Sequence, residues 1–300
     1  MPATIVDSDV GHEIRGTAGN DIIAARGGDD VVLGMGGADR ICLGTGRDIG
    51  KGGEGNDEFL SEPTADGRDD FYGDSGQDSV RYIGRSTGVS VSLDGVANDG
   101  QSGEQDNVRF STENVQGTPF ADQILGNELD NVFIGSSGND DLRGGPGDDD
   151  LYGVQGDDLL IGDAGDDHLS GYDGDDRLLA SESLDGDDEM FGGLGSDTMD
   201  YSDRSASLGV TVILDNDFND GSAGEFDIVE TDIENLIGSP GADTLDVGFS
   251  GTDVSNVLNG GLGNDTLRTT DGDGLDTAVG GLSTDQCFTD PGDLRIGCNP

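Results

Sequence analysis

Aspartate is the residue type in this chain whose spacing can do chemistry. Asp21, Asp30, Asp39, Asp48 and Asp57 fall nine residues apart without a slip, and Gly19, Gly28, Gly37, Gly46 and Gly55 keep the same step two positions earlier. Five such doublets in one phase arise by chance on the order of once in ten million trials. Glycine-rich turns accept backbone angles that other residues resist, so several carbonyls can point to one side, and each aspartate adds a carboxylate to them. The result is an all-oxygen donor set. If two nonapeptides make one right-handed coil, alternate turns stack on opposite edges. Asp21, Asp39 and Asp57 then line one edge, and Asp30 and Asp48 the other. Carboxylates about 4.8 Å apart, the spacing of neighbouring strands, repel unless a cation lies between them. Calcium suits such a set, because it accepts about six to eight oxygens at about 2.3 to 2.6 Å in adaptable geometry, whereas magnesium wants a stricter octahedron. Zinc is disfavoured, since the repeats hold no Cys or His in ligand register. Each of several Ca2+ ions is expected to bridge turns at i and i+18.

The elements that position these turns follow from what lies behind them. Two residues after each Asp comes an apolar side chain, Ile23, Val32, Ile41 or Phe59, with Gly50 the exception. One inward side chain with an outward neighbour on either side marks a very short strand. The pattern predicts an all-β chain, a right-handed parallel β-roll or β-helix solenoid with two β-strand inserts and almost no helix. At 18 residues per coil it would have about seventeen coils. A first array spans 16–81, with Asp69 and Asp78 resuming the phase after Ser61-Glu62-Pro63. A second spans 117–200, with Asp122, Asn131, Asp140, Asp149, Asp158, Asp167 and Asp176, then Asp188 and Asp197 after Ala180-Ser181-Glu182. A third, worn array occupies 238–288, with Asp243, Asn256, Asp265, Asp276 and Asp285. Every Asp of these arrays except Asp285 is a candidate metal ligand. Residues 1–15 and 289–300 are expected to cap the stack. The segments 82–116 and 201–237 align with one another, as in Val89-Ser90-Val91-Ser92-Leu93-Asp94 and Val210-Thr211-Val212-Ile213-Leu214-Asp215, and read as β inserts.

Composition narrows the function classes. Among 300 residues there are 55 Gly, no Trp and only 32% hydrophobic residues, too few for a thick core. The 14 Lys+Arg against 64 Asp+Glu give a net charge of −50, which repels nucleic acid and anionic membranes. No run approaches the ~20 apolar residues of a membrane span, and the first residues lack the basic and apolar regions of a cleavable leader. With so thin an interior, metal sites are expected to supply stability that the core does not.

The units Gly52-Gly53-Glu54-Gly55-Asn56-Asp57, Gly144-Gly145-Pro146-Gly147-Asp148-Asp149 and Gly260-Gly261-Leu262-Gly263-Asn264-Asp265 resemble the Gly-Gly-x-Gly-x-Asp-x-apolar-x nonapeptide of haemolysin-type calcium-binding (RTX) proteins. The resemblance covers residues 16–288. It implies a parallel β-roll, calcium in the turns, and a secreted or cell-surface setting in which calcium triggers folding after export. Some units depart from the pattern. Leu43-Gly44-Thr45 lacks the first Gly, Leu129 and Ser283 replace the middle Gly, and Asn131 and Asn256 replace the Asp.

Other constellations read as bland. Gly84-Arg85-Ser86-Thr87-Gly88 matches a hydrolase nucleophile pattern, but its aligned copy around Ser205 loses both glycines, and about one chance match is expected at this glycine content. His12, in the N-terminal cap, and His168, at an outward strand position, read as solvated. The acidic insert loops, with Asp94, Asn98, Asp99, Glu104 and Asp106 in one and Asp215, Asp217, Asn219, Asp220, Glu225 and Asp227 in the other, leave a lateral ion site open. Cys287 and Cys298 bracket a C-terminal loop that a disulfide would staple, with Cys42 left free. The function expected is non-enzymatic calcium binding by an extracellular structural or adhesive β-roll, without nucleic acid or membrane insertion, and with a surface or glycan partner. The rival expectations are the repeat region of an exported protease or lipase, and an ice- or glycan-binding module.

Overall fold

In each nonapeptide the side chain two residues after the Asp turns inward between two outward-pointing neighbours, so each unit makes one short strand. The computed structural model describes residues 3–7, 10–64, 67–183, 185–215, 217–248, 254–272 and 274–299. In it Ile23, Val32, Ile41, Phe59, Phe71 and Val80 are at most 2% exposed. Among the described residues there are 31 strands of two to six residues and no helix, and so no helix long and apolar enough to cross a membrane. The chain divides into two units, Met1–Gly145 and Pro146–Pro300.

In the first unit an unbroken face stacks Ala3–Val6, Asp21–Ala24, Arg40–Cys42, Glu58–Leu60, Ser79–Arg81, Asn114–Gln116 and Val132–Ile134 in parallel. The opposite face runs from Glu13–Arg15 through Val31–Gly36, Ile49–Glu54 and Asp70–Ser75 to Asn107–Val108, and a separate sheet holds Ser90–Ser92, Gln123–Leu125 and Asp141–Pro146. The second unit repeats the scheme. Its unbroken face runs Leu159–Ala164, Arg177–Leu179, Thr198–Asp200, Asn235–Ile237, Val257–Asn259, Thr277–Val279 and Leu294–Ile296. Its other face is divided at Ile228–Val229, beyond which Val210–Ile213, Thr244–Asp246, Thr266–Thr269 and Gln286–Thr289 continue in parallel. Val210–Ile213 also takes the short strand Gly221–Ser222, and that pair is antiparallel.

The segments expected as inserts therefore supply rungs. Asn114–Gln116 is paired on both sides, to Ser79–Arg81 and to Val132–Ile134. Among the described residues seven strands build the unbroken face of each unit, fourteen in all, fewer than the about seventeen that coils of 18 residues would supply. Within a regular array the rungs are 18 residues apart, as between Asp21 and Asp39. A three-residue insertion stretches the step to 21, the third array uses 22 and 20, and an insert takes 35.

Gly50, the exception in the apolar series, has a packing reason. A Cβ there would lie 2.7 Å from Phe59 Cε1 and 3.1 Å from Leu43 Cδ2. Phe59 and Phe71, in edge-to-face contact with centroids 5.6 Å apart, supply the bulk that Gly50 omits. At the C-terminal end Cys287 and Cys298 are joined, with Cα atoms 5.8 Å apart, and Cys42 is free and half-buried.

Candidate metal centres in the turns

Parallel pairing sets each aspartate beside the one a rung away, and the carboxylates form ladders along the turn edges. In the first unit the Asp21 N–H donates to Asp39 Oδ1 at 2.8 Å, Asp39 to Asp57 at 2.8 Å and Asp57 to Asp78 at 2.7 Å. Asp30 donates likewise to Asp48 at 2.7 Å, Asp48 to Asp69 at 2.9 Å, and Asp122 to Asp140 at 2.8 Å. In the second unit one ladder runs Asp149, Asp167, Asp188 at 2.8 and 2.9 Å, and another Asp158, Asp176, Asp197 at 2.8 Å per step. In the worn array Asp243 donates to Asp265 at 3.0 Å and Asn256 to Asp276 at 2.8 Å. All eighteen candidate ligands thus lie in ladders, and none is more than 7% exposed.

The ladders also take in acids that the nine-residue phase passes over. Asp106 accepts from Asp69 at 2.9 Å, Glu113 from Asp78 at 2.8 Å, Asp227 from Asp188 at 3.2 Å and Glu234 from Asp197 at 2.8 Å. Asp285 and Asp293 extend the third array, accepting from Asp265 at 3.1 Å and Asp276 at 3.4 Å. A usable signal was present. Asp106-x-Val108, Glu113-x-Val115, Asp227-x-Val229 and Glu234-x-Leu236 repeat the acid-x-apolar signature outside its register. Asn131, at a ladder position, instead donates through Nδ2 to the Glu113 carbonyl at 2.9 Å.

Asp21 accepts through Oδ2, from the Thr17 N–H of its own turn at 2.5 Å, but in most of these carboxylates one oxygen is spent on the neighbouring rung. The second is not: Oδ2 of Asp39, Asp57, Asp78, Asp167, Asp176, Asp197, Asp243 and Asp265 is buried without a hydrogen-bond partner. Burial, opposed by the backbone hydrogen bond and reinforced by neighbouring carboxylates, pushes Asp39, Asp176 and Asp197 up to about 6 and Asp78, Asp167 and Asp188 up to about 7. Groups so placed need a proton or a cation.

The turn backbone explains the glycines. A Cβ on Gly52, Gly162 or Gly171, the first turn residue, would overlap Oδ2 of Asp57, Asp167 or Asp176. In many of these turns the second residue is left-handed even when it is not glycine, with φ of 112° at Gly53 but also 83° at Met35, 87° at Val154 and 74° at Tyr172. Turns of this kind thus offer a carboxylate oxygen with no protein partner among backbone carbonyls. Such hard oxygen donors fit calcium, and they hold neither the nitrogen nor the sulfur that zinc prefers.

The insert acids are arranged otherwise. Asp99 accepts the Ser92 and Val108 N–H groups, both at 2.7 Å, and Asp220 those of Ile213 and Val229 at 2.7 and 2.9 Å. Glu104 pairs with the buried Arg85 at 2.9 Å, and Arg204 bridges Glu225 at 2.6 Å and Asp185 at 2.5 Å. Asp215 holds a local turn, accepting from the Asp217 N–H at 3.1 Å. Ser86 is exposed, while His12 pairs with Asp7 at 3.0 Å and His168 with Glu189 at 3.4 Å.

A family model described as the RTX calcium-binding nonapeptide repeat (4 copies) matches residues 15–50, 116–151, 125–160, 152–182, 183–201 and 250–287, more than half of the chain. No curated protein matches the chain.

Proposed function

The chain belongs to the RTX calcium-binding nonapeptide repeat family, and from that premise we propose that several calcium ions sit in its turns and that its fold depends on them. Calcium binding by a β-roll is the family property. The finer reading rests on the buried, unpartnered Oδ2 atoms of the ladders, which ions between successive rungs would satisfy. Each ion takes its ligands from turns one coil apart, Asp158 with Asp176 for example, where the Asp158 N–H already donates to Asp176 Oδ1 at 2.8 Å. On this reading the protein works outside the cell or on its surface, as a structural or adhesive element and not as an enzyme. Calcium is abundant there, and the Cys287–Cys298 bond suits an oxidising setting.

The test is a calcium titration of the full chain followed by native mass spectrometry and circular dichroism. Several ions should be retained, a coil-like spectrum should become β-rich as calcium is added, and Asp158→Ala should lower the number of ions. A chain that retains none, or a variant with unchanged stoichiometry, would contradict the assignment.

A further inference from the structure

The N-terminal end of one turn ladder is built differently from the rest. The ladder that runs back from Asp69 through Asp48 to Asp30 has one more rung, and the residue 18 positions before Asp30 is His12. Its backbone behaves as an in-phase aspartate does, the His12 N–H donating to Asp30 Oδ1 at 2.6 Å. The strand that follows, Glu13–Arg15, pairs in register with Val31, Val32 and Leu33. The glycine-marked arrays begin only at residue 16, so their pattern passes over this rung. A histidine does stand in ligand register, at a rung whose turn lacks the Gly-Gly-x-Gly pattern.

A third group completes the set. Asp7 follows the strand Ala3–Val6 and is anchored by its N–H to the Ala24 carbonyl at 3.0 Å. Its Oδ2 lies 3.0 Å from His12 Nδ1. One ligand atom each from Asp7, His12 and Asp30 lie within 4.8 Å of one another. Asp30 is 1% exposed, and its Oδ2 has no hydrogen-bond partner. Around a tetrahedral ion with bonds of about 2.0–2.1 Å the ligand atoms sit about 3.3 Å apart, so Asp7 and His12 are already at that separation and Asp30 is within a small shift of it.

We propose that Asp7, His12 and Asp30 form a transition-metal site, of zinc type, at the N-terminal end of the ladder. An imidazole nitrogen with two carboxylates is a borderline donor set that favours zinc over calcium, whereas the turns proper present oxygen alone. The three residues come from two successive coils and the strand before them, so the ion ties the strand Ala3–Val6 to the stack.

The experiment uses the full chain in millimolar calcium, with zinc added at micromolar concentration, passed through a desalting column and counted by native mass spectrometry. One zinc should be retained per chain. His12→Ala should lose it, weakening zinc by more than about 100-fold, with the calcium count and circular dichroism unchanged. Asp7→Asn should also weaken zinc, and His168→Ala should retain it. No zinc on the parent chain overturns the proposal, as does equal retention by His12→Ala or loss from His168→Ala as well. A chain that holds one zinc and no calcium would sink the reading of the turns and leave this one standing.

Discussion

The turn ladders and the inserts bury the same kind of group and neutralise it in opposite ways. Around Asp39 the nearby charges are those of Asp57 and Asp21, and around Asp78 those of Asp57, Glu113 and Asp74, all negative. The inserts instead carry a guanidinium inside. Arg204, with a side chain 0% exposed, spans Asp185 and Glu225 over the ring of Tyr201, and Arg85 sits in the same way against Glu104 over Tyr82. The consequence shows in the carboxyl groups. Burial raises Glu225 too, but hydrogen bonding with Asp185 and Arg204 outweighs it and holds Glu225 below its ordinary range. Where the chain provides its own cation, one acid of the pair, Glu225, can stay ionised, while burial and the hydrogen bond to Glu225 push Asp185 up to about 7. Where it provides none, the cation has to come from solution.

The largest effect expected from this contrast is the response of the metal-free chain to pH. Asp39, Asp176 and Asp197 titrate near 6 and Asp78, Asp167 and Asp188 near 7 in the fold, against 3.8 ordinarily. The folded state therefore holds protons that the unfolded state has released. Their contribution is fully present below about pH 4 and is lost as pH rises through 6 to 7. In chelator, far-UV circular dichroism should show more β structure at pH 5 than at pH 7.5, and millimolar calcium should remove the difference. A chelated chain that gains structure as pH rises from 5 to 7.5 would break the comparison.

Next in size is the loss of an internal cation. Arg204→Met leaves Asp185 and Glu225 buried without their partner, and breaking a buried pair from one side costs about 3–5 kcal/mol. In urea unfolding at saturating calcium this variant should be destabilised by that order, and Arg85→Met, whose guanidinium pairs with Glu104 and leans on Ser61, by less. Stability equal to the parent would mean that the insert acids are not held by their arginines.

Most of the regular architecture was legible along the chain because each unit solves the same problem with the same residues. Asp57 and Phe59 say where one turn and one inward side chain lie, and the nine-residue phase then carries the ladder partners Asp39 and Asp57 and the core partners Ile41 and Phe59 into register. What was hidden depends on contacts that periodicity does not encode. Glu113 and Asp106 rejoin the ladders after steps of 35 and 37 residues, so only folding shows which rung they complete. Gly50 looked like a lapse until Phe59 and Leu43 were seen to fill its place. His12 was in phase all along, but the Gly-Gly-x-Gly pattern does not mark its turn. The coil count is lower than expected for a related reason, since three-residue insertions lengthen a rung without adding one, and an insert spends 35 or 37 residues on one step where an 18-residue period would make two.

The smallest effect concerns backbone strain, and it sharpens the contrast by acting on the turns while leaving charge alone. Val154 holds φ at 87° in the same turn position where Gly53 and Gly193 hold 112° and 109°. A left-handed conformation costs a non-glycine residue about 1–2 kcal/mol, and most of all a β-branched one. Replacing it with glycine removes that strain but adds about 0.5–1 kcal/mol of backbone entropy in the unfolded chain. Val154→Gly should therefore stabilise the calcium-loaded fold by about 0.5–1 kcal/mol in urea unfolding, and Asp163→Gly, at φ 79°, by less, because aspartate tolerates this region better. The number of bound ions should not change in either variant, because the carboxylates of Asp158 and Asp167 stay where they are. A destabilised Val154→Gly would mean that the turn is not strained at all, and that its left-handed residue is held by side-chain contacts that glycine gives up.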